Sequence, residues 1–293
     1  MTGAFDVVCV GVVYLDLTFV GLERVPRPGE EHWARDLTLS PGGMANTAVG
    51  LARLGLRTAV IGSIGRDLAG NYLRGALEAE GVECLGPDVE RSAMTAVLPI
   101  GGDRAMVSHL PREVASGEVL RQVRARAVVM LVDQLEQAPA ELRVYALTSH
   151  AEVHAAASGS ERRLPRTHVL IANQSEALAL SGETQADAAA HALSRSADTA
   201  VVTLGPDGAL AVSDSRLVHV AAPRTEVRDA TGAGDLFAAA YVWADLAGYD
   251  LTRRLEWATL YASRSLGTLT AFAGAGSLDD LLDAGRGAGL RTP

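Results

Sequence analysis

Residues 229–235 run Asp-Ala-Thr-Gly-Ala-Gly-Asp and are followed by a segment with helical periodicity, residues 236–246. Glycines let the backbone turn tightly, so that several N–H groups point in one direction at the start of a helix. Such amides bind an anion and stabilise the negative charge that develops on a phosphoryl group during transfer. Asp235 lies in the first turn of the predicted helix, where its carboxylate could accept a proton from an attacking hydroxyl. Taken alone, the segment fits a simple glycine-rich turn equally well.

A second segment places two adjacent glycines just ahead of an amide side chain. Gly42 and Gly43 permit a close approach of the backbone to a ligand, and Asn46 can both donate and accept hydrogen bonds. These groups suit the adjacent hydroxyls of a sugar. On its own, the segment is more typical of the start of a helix, and we expect a helix from Gly42 through about Leu54.

Two further segments follow predicted strands at the carboxyl edge of the sheet, where ligands of α/β proteins usually bind. Asn173 and Glu176 lie one helical turn apart and could organise water around Mg²⁺, which prefers octahedral oxygen coordination. Taken alone, that pair is more typical of a helix cap. The other segment, residues 202–209, ends a strand in a glycine turn and is a weak signal by itself.

The composition narrows the chemistry, because the chain has no lysine and all 26 of its basic residues are arginine. This excludes a Walker A loop, whose lysine contacts the β- and γ-phosphates, the strand lysine of protein kinases and any Schiff-base lysine. A protein of this composition must therefore bind phosphate through backbone amides, helix N-termini, arginine or a metal ion.

The 293 residues are 48% hydrophobic and carry a formal net charge of −9, so we expect a large buried core and no nucleic-acid partner. No apolar run approaches the ~18 residues of a membrane span, and the N-terminus lacks a basic region, so we expect a cytoplasmic protein without membrane contact. Cys9 and Cys84 alone cannot form a disulfide framework. His150 and His154 are four residues apart, but without another Cys or His nearby they fit a solvated helix better than a metal site.

Apolar periodicity predicts alternating strands and helices, which implies a mostly parallel sheet covered on both faces. Strands are expected at residues 6–13, 58–64, 127–132, 143–147, 168–171 and 200–204, and helices at 42–54, 67–80, 175–181, 185–195, 235–246 and 252–266. Residues 155–166 are polar and rich in Gly, Ser and Arg, which predicts a surface loop.

Two strand-like stretches interrupt this alternation, at about 15–39 and 92–110. Pro26, Pro28 and Gly29 supply turn signals in the first stretch, and the Gly-Gly-Asp at 101–103 divides the second into two strands. Because both stretches flank the first β/α units, we expect them to pair as one small sheet that projects from the main domain as a lid.

In this order and spacing, the segments resemble the ribokinase-like (PfkB-type) sugar and nucleoside kinases over essentially the whole chain. The resemblance rests chiefly on residues 229–235, and the glycine–asparagine segment, Asn173, Glu176 and residues 203–205 support it. It implies an α/β fold: a single three-layer ribokinase-like domain over residues 1–293, with a mostly parallel central sheet and a small β-sheet lid. It also implies a phosphotransferase in which ATP phosphorylates a hydroxymethyl group of a small sugar or sugar derivative.

The resemblance also implies roles for individual residues. Asp235 matches the general base, and the amides of Gly232, Ala233 and Gly234 match the anion hole for the transferred phosphate. The residues that match sugar contacts are Asp16, Gly42, Gly43, Asn46 and Asp133, the last of which follows the predicted strand. Those that match nucleotide contacts are Asn173, Thr203, Gly205, Gly208, Thr259 and Ser263, with Glu176 at the metal site. ATP and Mg²⁺ are the implied cofactors, and K⁺ is an optional activator.

The chain departs from the family pattern in ways that bear on the substrate. Only two residues separate Gly43 from Asn46, one fewer than is common in ribokinases, and the strand at 143–147 lacks the aspartate and asparagine that often follow it. These departures leave phosphotransfer intact but disfavour ribose. The alternatives are a nucleoside kinase of the same fold and a non-catalytic sugar or nucleotide sensor, which would not need Asp235. The apolar surface of the expected lid predicts a homodimer joined through the lids.

Overall fold

The computed structural model describes residues 4–100, 103–111, 117–149 and 164–290. His150, His154, Gly101, Gly102 and most of the predicted loop at 155–166 lie outside this part of the chain. The strands, in chain order, are β1 (Phe5–Val10), β2 (Val13–Val20), β3 (Asp36–Gly43), β4 (Thr58–Ile61), β5 (Ile64–Gly65), β6 (Glu83–Cys84), β7 (Asp88–Val89), β8 (Ala93–Ile100), β9 (Asp103–His109), β10 (Ala125–Leu131), β11 (Arg143–Leu147), β12 (Thr167–Asn173), β13 (Ala197–Thr203), β14 (Ala209–Ser213) and β15 (Arg216–Val220).

The helices within the same ranges cover the two faces of the main sheet. They are α1 (Met44–Arg53), α2 (Leu68–Ala79), α3 (Gly117–Gln122), α4 (Gln174–Ser181), α5 (Ala186–Leu193), α6 (Ala233–Leu246), α7 (Leu251–Ser265), α8 (Ala271–Gly274) and α9 (Leu278–Gly287). Two short 3₁₀ helices span Val132–Gln137 and Gly205–Asp207. None of the helices in the described ranges combines the length and apolar character needed to cross a membrane.

The central sheet has nine strands in the order β15-β14-β13-β12-β11-β10-β1-β4-β6. Strands from β6 across to β13 are parallel, and β14 and β15 add an antiparallel edge. Both faces of the sheet are buried: Val7 and Cys9 of β1 pack into a core with α1, α6 and α7, whereas Val8 and Val10 pack into a second core with α3, α4 and α5. This three-layer α/β arrangement confirms the predicted fold class.

The two stretches outside the β/α alternation form a separate four-stranded sheet in the order β3-β2-β8-β9. β2 pairs antiparallel with β3 and parallel with β8, and β8 pairs antiparallel with β9. The predicted pairing of residues 15–39 with 92–110 in one small sheet is therefore confirmed. Its action as a lid stays a prediction.

Three predicted elements were wrong in detail, and one hairpin was not predicted. The strand expected at 6–13 ends at Val10, and Val13 already begins β2 of the other sheet. Gly42 and Gly43 end β3 rather than open a helix, and α1 begins only at Met44. The strand expected at 58–64 is broken, because β4 ends at Ile61 and β5 begins at Ile64. Between them, Gly62 lies so close to Gly11 that a Cβ would be 2.5 Å from the carbonyl oxygen of Gly11. The hairpin of β14 and β15 was not predicted at all.

That hairpin turns through Asp214 and Ser215, which both have positive φ angles, 48° and 63°. Two-residue hairpin turns with positive φ at both positions usually contain Asn-Gly or Asp-Gly. Asp-Ser is an uncommon choice for such a turn, so the usual sequence signal was absent.

Candidate active site

Asp235 lies in the first turn of α6, at the carboxyl edge of the central sheet. The helix is preceded by Gly232, whose φ of 74° is left-handed. A Cβ at this position would lie 2.4 Å from the Cβ of Ala271, so both the conformation and the space require glycine. The first N–H groups of a helix have no partner within it and can bind an anion; here the N–H of Ala233 donates to the carbonyl oxygen of Ala230 at 3.3 Å.

Asp229, the first carboxylate of the motif, holds the loop in place. Its Oδ1 accepts a hydrogen bond from the N–H of Thr231 at 2.8 Å, and its Oδ2 accepts one from the N–H of Thr270 at 3.0 Å. Because both oxygens bind backbone amides, Asp235 is the carboxylate of the motif that is available for chemistry. Sequence reasoning gave Asp229 no role, although an aspartate that bonds the amide two residues later is a familiar turn signal.

The start of α1 contacts Asp235 directly. Nδ2 of Asn46 donates a hydrogen bond to Oδ2 of Asp235 at 3.0 Å, and the hydroxyl of Thr47 donates to the carbonyl oxygen of Asp235 at 3.4 Å. Burial raises the pKa of Asp235 to about 6. The hydrogen bond from Asn46 and the charge of Arg104 act to lower that pKa, and the charge of Glu176 acts to raise it.

Asp16, on β2, faces the same site from the small sheet. Its carboxylate lies directly over Gly42, where a Cβ would come within 1.9 Å of Oδ2. The pKa of Asp16 is raised to about 6, chiefly by burial and also by the charge of Asp235, whereas a hydrogen bond from Thr95 acts to lower it. The Thr95 hydroxyl is in turn 3.0 Å from that of Ser108. The carboxylates of Asp16 and Asp235 thus both lie at the candidate sugar site.

Arg104 is a candidate functional residue that the sequence did not indicate. In the strand register, Asp16 is opposite Thr95, and Thr95 is opposite Ser108 on β9. Arg104 is four residues before Ser108, and alternate residues of a strand share a face, so Arg104 lies on the face that carries Asp16. The charge of Arg104 lowers the pKa of Asp235, so the guanidinium is near enough to that carboxylate to affect its ionisation. Arg104 reaches this face only because β9 pairs with β8 in the small sheet.

Asn173 and Glu176 form a capping box at the start of α4. Asn173 accepts a hydrogen bond from the N–H of Glu176 at 2.9 Å, and Oε2 of Glu176 accepts one from the N–H of Asn173 at 3.1 Å. The same carboxylate oxygen accepts a hydrogen bond from Thr148, just after β11, at 2.5 Å. The helix-cap interpretation is therefore confirmed, and the buried Glu176 still lies near enough to Asp235 to affect its pKa.

A groove of about 500 Å³ extends from this cap to the turn after β13. It is lined by Asn173, Gln174, Ser175, Leu178, Thr203, Leu204 and Gly205. Asn173 and Thr203 come together because they are register partners at the ends of β12 and β13. This groove unites three of the residues predicted to contact the nucleotide.

The other predicted contacts lie elsewhere. Gly208 closes the turn with a φ of 95° and packs against Val220, where a Cβ would lie 2.0 Å from the carbonyl oxygen. Thr259 and Ser263 are buried in α7 and are not among the residues that line the groove, and the Thr259 hydroxyl has no hydrogen-bond partner among the described residues. β10 ends at Leu131, so Asp133 lies in the 3₁₀ helix that follows rather than at the end of the strand.

In the described ranges, no group of three or more His, Cys, Asp or Glu side chains is placed to hold a metal ion by itself. Kinases usually bind Mg²⁺ through one or two carboxylates together with the phosphates of the nucleotide. The carboxylate of Glu176 and the amide of Asn173 are of the donor type that such a site uses.

The comparison with known proteins decides the family. Residues 4–271 match the sequence pattern of the pfkB family carbohydrate kinases. The chain belongs to this family. The PfkB kinase is 27% identical to 5-dehydro-2-deoxygluconokinase of Bacillus subtilis (strain 168) over 297 residues, 89% of each chain. It is also 27% identical to the nucleoside kinase of Methanothermobacter thermautotrophicus over 276 residues, 88% of each chain.

The solved structure of Arabidopsis thaliana ribokinase, complexed with ribose and ATP, is similar in fold to the PfkB kinase. The TM-score is 0.76 at 22% identity, with 96% of this chain and 98% of the Arabidopsis chain covered. Family membership makes the chain a phosphotransferase of the carbohydrate kinase type, as the sequence predicted.

Proposed function

We propose that this PfkB kinase transfers the γ-phosphoryl group of ATP to a hydroxymethyl group of a small sugar or sugar derivative, with Asp235 as the general base. The observation that carries the proposal is the position of Asp235. Asp235 follows the glycine loop at the start of α6. It also lies near enough to Asp16, on the polar face of the small sheet, for its charge to raise the pKa of Asp16. ATP is the expected donor because the Arabidopsis ribokinase of the same fold is complexed with ATP.

The proposed reaction is a direct displacement at phosphorus. Asp235 accepts the proton of the substrate hydroxyl while the oxygen of that hydroxyl forms a bond to the γ-phosphorus. The bond from the γ-phosphorus to the bridging oxygen breaks, and ADP leaves with that oxygen. The amides of Gly232, Ala233 and Gly234 meet the negative charge on the transferred group. A pKa of about 6 leaves Asp235 ionised at neutral pH and therefore able to act as a base.

Mg²⁺ would be held by the phosphates and, through water, by Glu176 and Asn173. When bound, the ion neutralises charge on the phosphates. Glu176 is suited to this role because Thr148 and the N–H of Asn173 fix one of its oxygens.

Among small sugars, the site favours a sugar acid. Arg104 lies on the polar face of the small sheet that carries Asp16, and an arginine can bind a carboxylate with two parallel hydrogen bonds. The Bacillus relative, a 5-dehydro-2-deoxygluconokinase, is consistent with this choice. The similarity to an archaeal nucleoside kinase keeps nucleosides as the alternative. The small sheet would act as a lid that excludes water during transfer.

The test is a coupled assay of ADP release over matched pairs, each a sugar acid and its neutral sugar, with nucleosides added. We expect phosphorylation of at least one sugar acid, and we expect Arg104→Gln to reduce kcat/KM for the acid more than for the neutral partner. Turnover of nucleosides alone would establish the alternative. Absence of ATP-dependent turnover with every sugar and nucleoside would overturn the proposal.

The proposal also covers the cellular compartment and the oligomeric state of the enzyme. Cys9 and Cys84 are both free thiols, as expected in the reducing cytoplasm, where ATP is available. We also propose a homodimer formed through the face of the small sheet that lies opposite to Asp16 and carries Leu37 and Leu39.

A further inference from the structure

Helices α1 and α6 pack against each other, and their contact begins in the first turn of each helix, where Asn46 and Asp235 lie. A Cβ on Gly50 would lie 2.8 Å from the Cβ of Ala239, so the glycine allows the two helices to touch. One turn earlier in each helix, Asn46 and Thr47 reach Asp235. The packing of α1 on α6 therefore sets the distance between the Asn46 amide and the carboxylate.

The Asn46 side chain is enclosed at this contact. The residue is 5% exposed, and its Nδ2 donates to Oδ2 of Asp235 at 3.0 Å. A Cβ on Gly232 would lie 2.9 Å from the same nitrogen and 3.3 Å from the same oxygen. Glycine at 232 thus leaves the space in which the amide and the carboxylate meet. The arrangement goes beyond the sugar-binding role that the family resemblance implies for this asparagine.

We propose that Asn46 is a positioning residue for the general base: its amide holds Oδ2 of Asp235 and leaves Oδ1 to accept the proton of the substrate hydroxyl. This inference rests on the proposed function, in which Asp235 is the base. One N–H of the Asn46 amide donates to Asp235, which leaves the second N–H and the amide oxygen to bond the sugar. One side chain would then align the base and the substrate with each other.

The electrostatics of the site agree with this role. A donor to a carboxylate stabilises its ionised form, and the hydrogen bond from Asn46 lowers the pKa of Asp235 against the effect of burial. The charged groups that face Asp235 from the neighbouring elements are Asp16 on β2, Arg104 on β9 and Glu176 on α4. Loss of the amide donor would leave these groups in place and raise the pKa of Asp235.

The test compares the pH dependence of kcat/KM for the wild type, Asn46→Leu and Thr47→Val. kcat/KM reports the ionisation of groups in the free enzyme. We expect Asn46→Leu to move the acid limb upward by about one pH unit, the size of one lost charge-assisted hydrogen bond. Thr47→Val is the matched control, because it removes a neighbouring donor that bonds only the backbone, and its acid limb should stay in place. A residue that only bound sugar would change KM without moving the limb.

A second measurement does not depend on turnover. NMR titration of ¹³C-carboxyl-labelled aspartate, with the Asp235 signal assigned from Asp235→Asn, should show a higher pKa of Asp235 in Asn46→Leu, and also in Asn46→Ser if the leucine variant fails to fold. If Asp235→Asn keeps wild-type turnover, the proposed base falls and the inference falls with it. If Asp235→Asn is inactive but the Asn46 variants titrate like the wild type, only the inference is overturned.

Discussion

Asp235 is the residue on which the proposed chemistry depends, and replacing it with asparagine keeps its shape while removing its basicity. We expect Asp235→Asn to lower kcat by about two to four orders of magnitude, the range for a lost general base. ATP and sugar should still bind, because neither needs the proton acceptor. Steady-state kinetics and calorimetric titration measure the two effects separately. Asp187→Asn makes the same change at an exposed position in the first turn of α5 and should behave like the wild type.

The same substitution should stabilise the fold at neutral and alkaline pH. The pKa of Asp235 is raised to about 6 in the native state, so the native state binds this proton more tightly than the unfolded chain does. The free energy of unfolding therefore falls as the pH rises from about 4 to about 6. Asp235→Asn removes that loss and should be more stable than the wild type by about 3 kcal/mol at pH 8.

Urea unfolding of both proteins at pH 8 and near pH 4 measures this difference. It should be much smaller at the lower pH, where the carboxyl is protonated in the native state and only partly ionised in the unfolded chain, whose ordinary pKa is 3.8. An equal difference at both pH values would mean that the carboxylate is not the source of the effect.

The residues of the site were predictable where a short motif carries them. Local sequence patterns at helix starts include Asp235, Asn46, the glycines and the cap at Asn173. They are recognisable because the start of a helix favours particular residue types as caps and as anion-binding groups. Arg104 and Thr148 have no such pattern. They reach the site from a strand of the small sheet and from the end of β11, and only the assembled sheets bring them there.

At the scale of elements, Gly42 links the small sheet to the site. Its φ is not in the left-handed region, so the backbone tolerates alanine, but a Cβ would displace the Asp16 carboxylate. We expect Gly42→Ala to raise KM for the sugar at least tenfold with a smaller change in KM for ATP. Gly75→Ala is the control: its Cβ meets nothing within 4 Å in α2, and the change should stabilise the protein by about 0.5–1 kcal/mol. An unchanged KM for sugar in Gly42→Ala would remove Asp16 from the sugar site.

The elements themselves were predicted best where burial is strongest. The central parallel strands are continuous apolar runs, and such runs between helical segments indicate a sheet covered on both faces. The antiparallel edge was missed, because β15 is largely exposed and its turn uses Asp214 and Ser215 instead of a glycine. Gly42 and Gly43 were assigned to a helix, although they end β3. A pair of glycines allows the backbone to approach a ligand at the end of a strand as well as at the start of a helix, so the pair alone does not distinguish the two.

At the scale of the whole molecule, the small sheet has two unlike faces. The face with Asp16 is polar and turned to the site. In the strand register, Leu39 is opposite Leu17, Leu37 is opposite Phe19 and Val107 is opposite Ala96, all on the other face. Leu37, Leu39 and Val107 are 47%, 44% and 71% exposed, and Trp33, between β2 and β3, is 84% exposed. Of the apolar residues predicted on these strands, Leu37 and Leu39 are exposed, whereas Val13, Leu15 and Val97 are buried within the chain.

Such a face on a sheet with open edges invites pairing with a second copy, which would cover it by an isologous contact. We expect the wild type to sediment at about twice 30.5 kDa at micromolar concentration. Leu37→Glu would bury a charge at the twofold contact and should shift the protein toward monomer. Leu217→Glu is the matched control, because Leu217 is similarly exposed on β15, at the far edge of the central sheet, and its variant should remain a dimer. A wild type that sediments as a monomer would refute the dimer, because Trp33, Leu37 and Leu39 would then stay exposed on a single chain.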